Sequence, residues 1–576
     1  MQEYTSVKYC SSNQHKDLST ARLERDISDT EKIINFLQSK SPFDQSDHTL
    51  HSIDTGLVAG DSVNVDNVAE VGDKILAGML GQNILEYAFK RRDQVVTLAT
   101  NTAVKTSNKT VLIDPQLLFQ RLVTAGSSQD NLNEVFKYEL CSYPPSLFLT
   151  TDVMLTADKA SLANAMWKQL PDSCQGSQVP EDIQQYVLDG GALLHRLRWN
   201  IGDTYDDICK KYIKYVTNKY FPVIIVFDGY ESGPTTKDAT HIKRTNNNTT
   251  GLVNFTGDMI CTLKKEVFLG NKSNTQRFIN LLGKHFQDCG IEVLYAKADA
   301  DVLIVKTAIT SAVSKNTVLV GDDTDLLVLL CSQPPSTACQ IYFRPEQKKN
   351  SKNPTKCWNI KLVQAVLGRN ICDHLLFAHA LLGCDTTSRL FGIGKPTALK
   401  KLQTSEYFRE QASYFLHPDS TRKEIITAGE KALVCLLNGK HDETLDNLRW
   451  SRFHQKVASS TISISPCTLP PTSAAAEHHS LRVYLQVQQW KGMNICPEDW
   501  GWKMVDGKLL PVQTNRNPAP DYLLDIITCG CKTGCAGNNC SCRKFGLHCS
   551  PACMECKGLQ CTNVIHIDLD SDTEEL

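Results

Sequence analysis

Apolar runs that end in acidic residues mark the middle of the chain. From about residue 183, short β-branched runs alternate with stretches of helical periodicity, and this alternation predicts a parallel α/β sheet. Three of the runs, at 186–188, 223–227 and 317–321, are each followed directly by aspartate. Because the carboxyl ends of parallel strands share one edge of a sheet, we expect these acidic residues to lie together there.

The pattern divides the rest of the chain into further segments. Helical periodicity at 68–88, 116–123 and 159–170 predicts a mostly helical N-terminal region without a catalytic constellation. The stretch 459–473, which bears Ser, Thr and Pro, is typical of a linker. The predicted divisions are a disordered segment at 1–60, a helical region of unknown function at 61–180, the α/β domain at 181–435, a linker with a helical segment at 436–494, a Trp-Gly-Trp segment at 495–528, a cysteine module at 529–563 and an acidic tail at 564–576.

Composition narrows the class of protein only slightly. The 576 residues are 41% hydrophobic and 22% charged, as in an ordinary soluble globular protein. No apolar run is long enough to cross a membrane, and the polar N-terminus lacks a signal-peptide core, so we expect an intracellular protein without a membrane partner. Because the net charge is −2, contacts with nucleic acid would have to come from local basic patches.

The acidic residues suit divalent-metal chemistry as a set. Asp325 lies two residues beyond Asp323. Asp299 and Asp301 precede an apolar helical stretch, and Asp385 ends another apolar segment. Crowded carboxylates stay ionised only when cations neutralise them, and Mg²⁺ favours oxygen ligands in an open acidic site. Two such ions about 4 Å apart can activate a water molecule and stabilise the leaving oxygen of a phosphodiester. The alternative for each aspartate taken singly is a helix cap or a turn.

Several motifs, in this order, resemble the flap-endonuclease branch of PIN-like nucleases. They are Phe-Asp-Gly at 227–229, Asp-x-Asp at 299–301 and 323–325, Gly-Cys-Asp at 383–385 and Gly-Ile-Gly-Lys at 392–395. The resemblance covers 183–405 and implies a PIN-like parallel sheet, a helix-hairpin-helix and Mg²⁺ or Mn²⁺ as the cofactor. The catalytic carboxylates that it implies are Asp189, Asp228, Asp299, Asp301, Asp323, Asp325 and Asp385.

Candidate contacts with nucleic acid lie in two places. The tight turn at 392–395 opens a helix, and exposed backbone N–H groups there can hold a phosphate without reading sequence. A basic insertion between the second and third predicted acidic positions corresponds to the arch of the resembled family, which contacts the scissile strand. The alternatives are a plain helix connection and a solvated loop. The candidate residues are Lys237, Arg244, Gly392, Gly394, Lys395 and Lys400.

Cysteines crowd the C-terminal part of the chain. Of 23 cysteines, nine fall within 529–561, and such density in a reducing compartment predicts structural zinc rather than disulfides. Nine thiolates can serve about three Zn²⁺ ions if some sulfurs bridge two metals. The C-x-C starts and the Ser-Cys-Arg-Lys stretch at 541–544 resemble the CXC repeat of tesmin/TSO1-like proteins, whose DNA binding stays open here. The predicted zinc ligands are Cys529, Cys531, Cys535, Cys540, Cys542, Cys549, Cys553, Cys556 and Cys561.

The end of the chain combines a β-prone run at 564–569 with acidic residues at 570–575. Such a run can add a strand to the sheet edge of a partner, and it resembles a SUMO-interacting motif. The alternative is a frayed acidic tail. A nuclear location fits both the tail and the CXC module. Segments at 136–145, 383–388 and 500–502 together resemble uncharacterised animal proteins associated with mobile elements, which implies a transposon-derived origin.

These features together predict a metal-dependent, structure-specific nuclease that hydrolyses DNA phosphodiester bonds by a two-metal mechanism. The expected partner is branched or single-stranded DNA. RNA stays open as a substrate, because such a metal site does not discriminate between the two sugars. The alternative function is a catalytically inactive DNA- or chromatin-binding scaffold with a zinc module.

Overall fold

The computed structural model of the chain forms two compact units. The larger unit comprises 102–530 and 537–548, and the smaller unit comprises 1–101, 531–536 and 549–576. The residues that the structure describes are 20–39, 68–80, 102–105, 110–113, 115–127, 132–172, 175–200, 202–229, 235–236, 251–297, 299–334, 338–346, 355–459, 464–505, 507–531, 534–550, 553–556 and 561–563.

Twelve strands are described, all in the larger unit. They are β1 (Thr102–Lys105), β2 (Thr110–Ile113), β3 (Phe148–Thr150), β4 (Val153–Met154), β5 (Gln185–Asp189), β6 (Val223–Phe227), β7 (Glu292–Tyr295), β8 (Thr317–Val320), β9 (Ile341–Arg344), β10 (Trp358–Asn359), β11 (Trp502–Val505) and β12 (Lys508–Pro511). The central sheet has the order β10-β9-β8-β5-β6-β7. Every neighbouring pair in it is parallel except β9 with β10. The carboxyl ends of β5, β6 and β8 therefore lie at one edge.

The structure describes helices in both units. They are α1 (Thr20–Ser39) and α2 (Val68–Met79) in the smaller unit, and in the larger unit α3 (Pro115–Ser127), α4 (Leu132–Val135), α5 (Ala160–Trp167), α6 (Gly190–Arg196), α7 (Tyr205–Lys219), α8 (Lys265–Leu269), α9 (Lys272–Asp288), α10 (Asp301–Ser311), α11 (Thr324–Ser332), α12 (Ile360–Leu367), α13 (Arg369–Leu381), α14 (Lys395–Thr404), α15 (Glu406–Leu416), α16 (Arg422–Leu436), α17 (Leu445–Ser459), α18 (Ser473–Trp490), α19 (Asp521–Ile526) and α20 (Ser541–Lys544). Short 3₁₀ turns span Pro466–Thr468 and Pro497–Asp499.

The two middle strands of the central sheet, β5 and β8, are buried on both faces. Val187 and Leu319 pack into one hydrophobic core, whereas Leu188 and Val318, one position away on the same strands, pack into the other. This period of two follows from the alternation of side chains along a strand, and burial on both faces explains the continuous apolar runs of the sequence. The predicted fold class is confirmed as a mixed α/β fold with a central, mostly parallel sheet, a helical N-terminal part and a C-terminal cysteine cluster.

The segment 436–494 is a linker only in small part. It contains α17 and α18, and α18 is buried along most of its length. α18 packs closely against α16 because the contact is formed by small residues. A methyl group on Gly429 would lie 2.0 Å from Ser480 Oγ, which leaves no room for a larger side chain. The sequence did not predict α18 as a core element, because several of its buried residues are polar and therefore look like surface residues. Arg482, for example, is 1% exposed.

The Trp-Gly-Trp segment packs against neighbouring elements. Trp502 begins β11 and is 2% exposed, and it contacts Leu485 of α18 and Leu509 of β12. Gly501 has a φ of +84°, a conformation that glycine adopts without strain. A tight turn at this glycine therefore brings the hairpin back onto the core.

Part of the N-terminal region belongs to the same unit as the sheet. The Arg389 N–H donates to the Leu155 carbonyl at 3.0 Å, and the Phe391 N–H donates to the Ser146 carbonyl at 2.9 Å. The residues that flank the hairpin β3–β4 therefore bond to the segment that follows α13. The sequence predicts a boundary near 180, whereas the structure continues one compact unit from residue 102 to 530.

The smaller unit contains a helix where the sequence predicts disorder. α1 spans 20 residues, and ion pairs between neighbouring turns link Arg22 to Asp26 at 2.9 Å and Lys32 to Asp29 at 3.0 Å. Such pairs stabilise a helix locally even where it lacks an extended apolar face. Among the helices that the structure describes, none combines the length and the apolar character that a bilayer-spanning segment requires.

Candidate active site

A glycine lets Asp189 and Asp228 lie side by side at the carboxyl edge of the sheet. β5 ends at Asp189, whose carboxylate caps α6 by accepting a hydrogen bond from the Ala192 N–H at 3.1 Å. A methyl group on Gly191 would lie 3.2 Å from Asp189 Oδ1 and 3.0 Å from Asp228 Oδ2. The two carboxylates therefore face the same small volume.

Asp228 also fixes the start of α10. Its Oδ1 accepts a hydrogen bond from the Ala300 N–H at 2.9 Å. Ala300 lies between Asp299 and Asp301, so this bond brings the Asp-x-Asp pair to the end of β6. Asp301 is the first residue of α10 and is 9% exposed, whereas Asp299 is exposed to solvent.

Three further carboxylates meet beside this pair. Oxygen atoms of Asp323, Asp325 and Asp385 all lie within 4.8 Å of one another. Asp323 caps α11 by accepting a hydrogen bond from the Asp325 N–H at 3.0 Å. A methyl group on Gly321 would lie 3.6 Å from Asp189 Oδ2, so the β8 end of this group adjoins the β5 end. The convergence predicted from the strand ends is therefore present for these residues.

A lysine lies among the three carboxylates. The Lys159 ammonium is 3.1 Å from Asp323 Oδ2, 2.9 Å from Asp325 Oδ2 and 3.1 Å from Asp385 Oδ1. Burial lowers the pKa of Lys159, but Asp325, Asp323 and Asp385 outweigh it and hold the pKa above its ordinary value. Lys159 therefore remains a cation in this environment.

A buried histidine orients one of the carboxylates. His379 of α13 is fully buried, and its Nε2 lies 2.7 Å from Asp325 Oδ1. Burial, followed by the charges of Lys395 and Lys159, lowers the pKa of His379 well below its usual range. The neutral ring therefore donates its Nε2–H to Asp325, which fixes the carboxylate while leaving its charge in place.

The carboxylates compete for ionisation. Burial, and then the charge of Asp228, raises the pKa of Asp189 to about 7. Burial, and then the charge of Asp325, also raises the pKa of Asp323, although Lys159 opposes the shift. These groups consequently favour a bound cation at neutral pH, since a cation would remove the mutual repulsion.

This donor set fits a divalent cation that prefers oxygen. Each donor is a carboxylate, the ligand type of Mg²⁺ and Mn²⁺, and the side chains are already positioned by helix caps and a buried histidine. Asp189 and Asp228 form one candidate half of the centre, with Asp299 and Asp301 beside them. Asp323, Asp325 and Asp385 form the other half.

The predicted phosphate-binding turn is present, but one of its residues points inward. Gly392 has a φ of +75°, and Gly394 precedes α14. Lys395 is 2% exposed, and its ammonium donates to the carbonyl oxygens of His379, at 2.6 Å, and Gly383. The structure therefore corrects the prediction for Lys395: its ammonium binds the end of α13 rather than facing solvent. Lys400 is exposed, as the prediction requires.

Two predicted contacts and the predicted tail motif fall on residues that the structure does not describe. They are Lys237 and Arg244 in the basic insertion and the acidic tail at 564–576. Their assignments stay predictions from the sequence.

The cysteine module contributes to both units. In the larger unit, the sulfur of Cys529 lies within 4.8 Å of the sulfurs of Cys540 and Cys542. In the smaller unit, the sulfurs of Cys535, Cys549 and Cys556 lie within 4.8 Å of one another, and the same limit holds for Cys531 with Cys535 and for Cys549 with Cys553. Cys561 is buried and belongs to none of these groups of described residues. The cysteine cluster can therefore bind metal, and thiolate ligands favour zinc.

Arg121 connects the larger unit's part of this module to α3. It is 4% exposed, and its Nε donates to the Ile527 carbonyl at 2.7 Å. One of its terminal nitrogens lies 3.0 Å from Cys542 Sγ. A buried arginine beside a thiolate stabilises the charged form of the sulfur, which is the form that binds metal.

Three features of the acidic centre escaped the sequence analysis. Lys159 lies 164 positions from Asp323 in the chain, and no local pattern marks it. His379 could have been found, because it lies on the helix that leads into the Gly-Cys-Asp motif. Gly190 and Gly191, directly after Asp189, form the other visible signal: two consecutive glycines allow a helix to begin against a neighbouring strand.

Comparison with known proteins gives a partial family match and several structural neighbours. Residues 1–139 match a family described as a domain of unknown function, DUF8702. No curated protein matches the chain.

Three solved structures illustrate the structural likeness. The catalytic core of Rad2 in complex with DNA substrate is 13% identical, with a TM-score of 0.29, 58% of this chain covered and 96% of that chain. Human GEN1 in complex with Holliday junction DNA is 13% identical, with a TM-score of 0.29, 60% of this chain covered and 85% of that chain. T5 5′-exonuclease with bound zinc is 12% identical, with a TM-score of 0.26, 54% of this chain covered and 99% of that chain.

Proposed function

We propose that the chain is a metal-dependent nuclease that hydrolyses phosphodiester bonds of DNA. One observation carries the proposal: carboxylates from the ends of β5, β6 and β8 and from the segment after α13 converge at one edge of a parallel sheet. Ligands of open α/β sheets bind at this edge. A purely structural role would need only helix caps, and caps do not require acidic side chains from four distant segments to meet.

Each residue of the centre has a role in this proposal. Mg²⁺ or Mn²⁺ bound there would activate water and stabilise the charge that develops on a phosphodiester, in the two-metal arrangement that the sequence predicts. Asp189 and Asp228 would hold one side of the metal centre, with Asp299 and Asp301 beside them. Asp323, Asp325 and Asp385 form the other side. His379 keeps Asp325 in position through its 2.7 Å contact.

The nucleic-acid backbone would contact the start of α14. The Gly392–Gly394 turn lies on the surface at the N-terminal end of this helix, and Lys400 is exposed on the same helix. Helix N-termini attract phosphate through their N–H groups and dipole, without selecting a base sequence. Structure-specific cutting of branched or single-stranded DNA is therefore the form of activity that we test first.

A scaffold function has one observation in its favour. Lys159 already neutralises part of the acidic cluster, as it would in a protein that binds DNA without cutting it. One ammonium offsets one of the three negative charges, so the cluster still carries a net negative charge that a bound cation would neutralise. This remaining preference for a cation favours the nuclease.

The test is cleavage by the full chain of labelled flap, single-stranded and duplex DNA and of single-stranded RNA. Mg²⁺ should support cutting of at least one DNA substrate, and EDTA should abolish it. The double variant Asp323→Asn/Asp325→Asn should lose at least about 100-fold in rate, because removing charge-stabilising groups from a catalytic centre costs several kcal/mol of barrier.

Asp322→Asn is the matched control in this experiment. Asp322 belongs to the same acidic run, but its carboxylate pairs with Arg196 and accepts a hydrogen bond from the Glu346 N–H at 3.1 Å. Its substitution should retain most of the activity. Cutting that is indifferent to EDTA and to the double substitution would overturn the proposal, and preferential cutting of RNA would replace DNA as the substrate.

We also propose that the cysteine module is a structural zinc site of about three ions. The sulfur groups within each unit support metal binding, and the zinc count follows from the nine thiolates of the sequence. Nuclear location, a transposon-derived origin, DNA binding by the CXC-like module and SUMO recognition by the tail stay predictions from the sequence.

A further inference from the structure

A narrow apolar stripe runs along α1, the first helix of the smaller unit. Leu23, Ile27, Thr30, Ile34 and Leu37 follow one another at alternating spacings of four and three residues. This alternation averages 3.5 residues, which is the repeat of a helix that winds around a second helix. The stripe is narrower than the broad apolar face of a helix that packs on a globular core. Its pattern is therefore that of a helix with one helical partner.

The apolar residues of this stripe are exposed. The exposed fraction is 46% for Leu23, 60% for Ile27, 47% for Ile34 and 36% for Leu37. A single exposed apolar residue is ordinary, whereas several of them aligned on one helix face mark an interaction surface. With 20 residues, α1 is about 30 Å long, and a helix of this length is only marginally stable alone in water. A second helix laid along the stripe would cover the apolar residues and stabilise α1.

The residues beside the stripe are acidic. In paired helices, the positions that flank the apolar stripe select the partner through their charges. On α1, Glu24 and Glu31 lie along one margin of the stripe and Asp26 lies along the other, and all three are exposed. The basic residues Arg25 and Lys32 lie on the opposite face of the helix, where both pair with Asp29. A partner helix would therefore meet negative charge at the margins of the stripe.

This charge pattern disfavours a second copy of α1 as the partner. In a parallel pair, Asp26 would lie across the interface from Glu31 of the second copy. In an antiparallel pair with the stripes aligned, Glu24 would face that glutamate instead. Like charges repel in both arrangements. DNA and anionic membranes are disfavoured for the same reason, because the acidic margins repel phosphate groups.

We infer that α1 is a docking helix for a basic amphipathic helix of another protein. The partner has a leucine- or isoleucine-rich stripe at the same spacing, flanked by lysine or arginine. The apolar stripes supply the contact, and the complementary charges at the margins supply the selectivity. This inference does not depend on the proposed nuclease function, since α1 contains none of the residues of the acidic centre.

The test is binding of two labelled synthetic helical peptides to the full-length protein, measured by fluorescence anisotropy. The peptides share one stripe of leucine and isoleucine over about three heptads and differ only at the flanking positions. One peptide carries lysine there, and the other carries glutamate. We expect wild type to bind the lysine peptide at least about 10-fold more tightly than the glutamate peptide, because only the lysine peptide complements the acidic margins.

A matched pair of variants tests whether the stripe is the contact. Ile27→Asp places a charge in the stripe and should abolish binding of the lysine peptide. Ser28→Asp introduces the same charge one position further along, at an exposed residue off the stripe, and should bind like wild type. Equal binding by wild type and Ile27→Asp would overturn the inference, because the peptide would then be held elsewhere on the protein.

A charge reversal tests the selectivity independently of any loss of folding. Glu24→Lys/Glu31→Lys should reverse the preference and favour the glutamate peptide, a gain of binding that unfolding of α1 cannot produce. Wild type that binds neither peptide, or both equally, would overturn the inference. Sedimentation of wild type as a dimer that Ile27→Asp dissociates would also overturn it, and would assign the stripe to a second copy of the chain.

Discussion

Asp189 serves the fold and the candidate centre with one side chain. Its carboxylate caps α6, and the same carboxylate faces Asp228 across a volume that only the absence of a side chain at Gly191 keeps open. The cap stabilises the helix, whereas burial and the neighbouring charge raise the pKa of Asp189 to about 7. In the metal-free protein this carboxylate is therefore a source of instability at alkaline pH.

The sign of this effect gives a testable pH dependence. An aspartate with an ordinary pKa of about 3.9 in the unfolded chain and about 7 in the folded protein binds more protons when folded, so stability falls as pH rises from about 4 to about 7. Asp189→Asn removes the charge and keeps a good cap. In EDTA, we expect Asp189→Asn to melt a few degrees above wild type at pH 8, with the gap shrinking at pH 5.

Mg²⁺ provides the control for that experiment. It should raise the melting temperature of wild type at pH 8 and leave Asp189→Asn nearly unchanged, because a ligand that binds the folded state stabilises it. A gap between the two proteins that is the same at pH 5 and pH 8 would show that Asp189 is not strained by its charge.

A residue of the acidic centre could be predicted where a local sequence pattern marks it. Asp189, Asp228 and Asp323 could be predicted because each follows an apolar strand, and the strand ends share an edge. Lys159 could not, because it reaches the cluster from a segment that pairs with no strand of the sheet. Lys395 was misplaced because a Gly-x-Gly-Lys turn shows where a lysine stands in the chain and not which carbonyl groups lie beneath it.

At the scale of elements, the junction of β5 and α6 depends on glycine. A methyl group on Gly190 would lie 2.3 Å from the Phe227 ring and 2.7 Å from the Val226 carbonyl oxygen, so α6 could not begin in its present place. Both of those groups belong to β6, the strand that delivers Asp228. Any shift at Gly190 therefore alters the spacing of the two carboxylates.

We expect Gly190→Ala to lower the free energy of unfolding by about 1–3 kcal/mol, the usual range for overpacking a close contact. It should also weaken Mg²⁺ binding, because β6 and α6 must separate. Melting temperature and Mg²⁺ titration measure the two effects. Gly176→Ala is the control, since a methyl group there has no neighbour within 4 Å, and the two variants behaving alike would refute the packing argument.

At the scale of the whole molecule, long-range packing joins segments that the sequence separates. The alternation of strands and helices predicted the sheet, because strands and helices each have a local period. The inclusion of 132–172 and α18 in the same unit depends on contacts such as Thr472 N–H to Glu139 Oε1 at 2.8 Å, across 333 positions. Such contacts leave no local pattern, so the predicted boundaries near 180 and 436 could not reflect them.

The cysteine module offers a test at this scale. We expect the purified chain to contain zinc, and Cys529→Ser/Cys542→Ser to lower the zinc content measured by mass spectrometry, because thiolates are the ligands. Mg²⁺-dependent cutting should persist in this variant, because the acidic centre uses none of these sulfurs. Cys496→Ser, at an exposed cysteine outside the module, should keep the zinc content of wild type. Equal zinc in all three proteins would contradict the assignment.

The most direct test of the central claim compares binding and cutting of one flap DNA by wild type and Asp189→Asn/Asp228→Asn. We expect both proteins to bind the DNA with similar affinity, wild type to cut it in Mg²⁺ and not in EDTA, and the double variant not to cut it. Tight binding without cutting in both proteins would contradict the nuclease and establish a DNA-binding scaffold in its place.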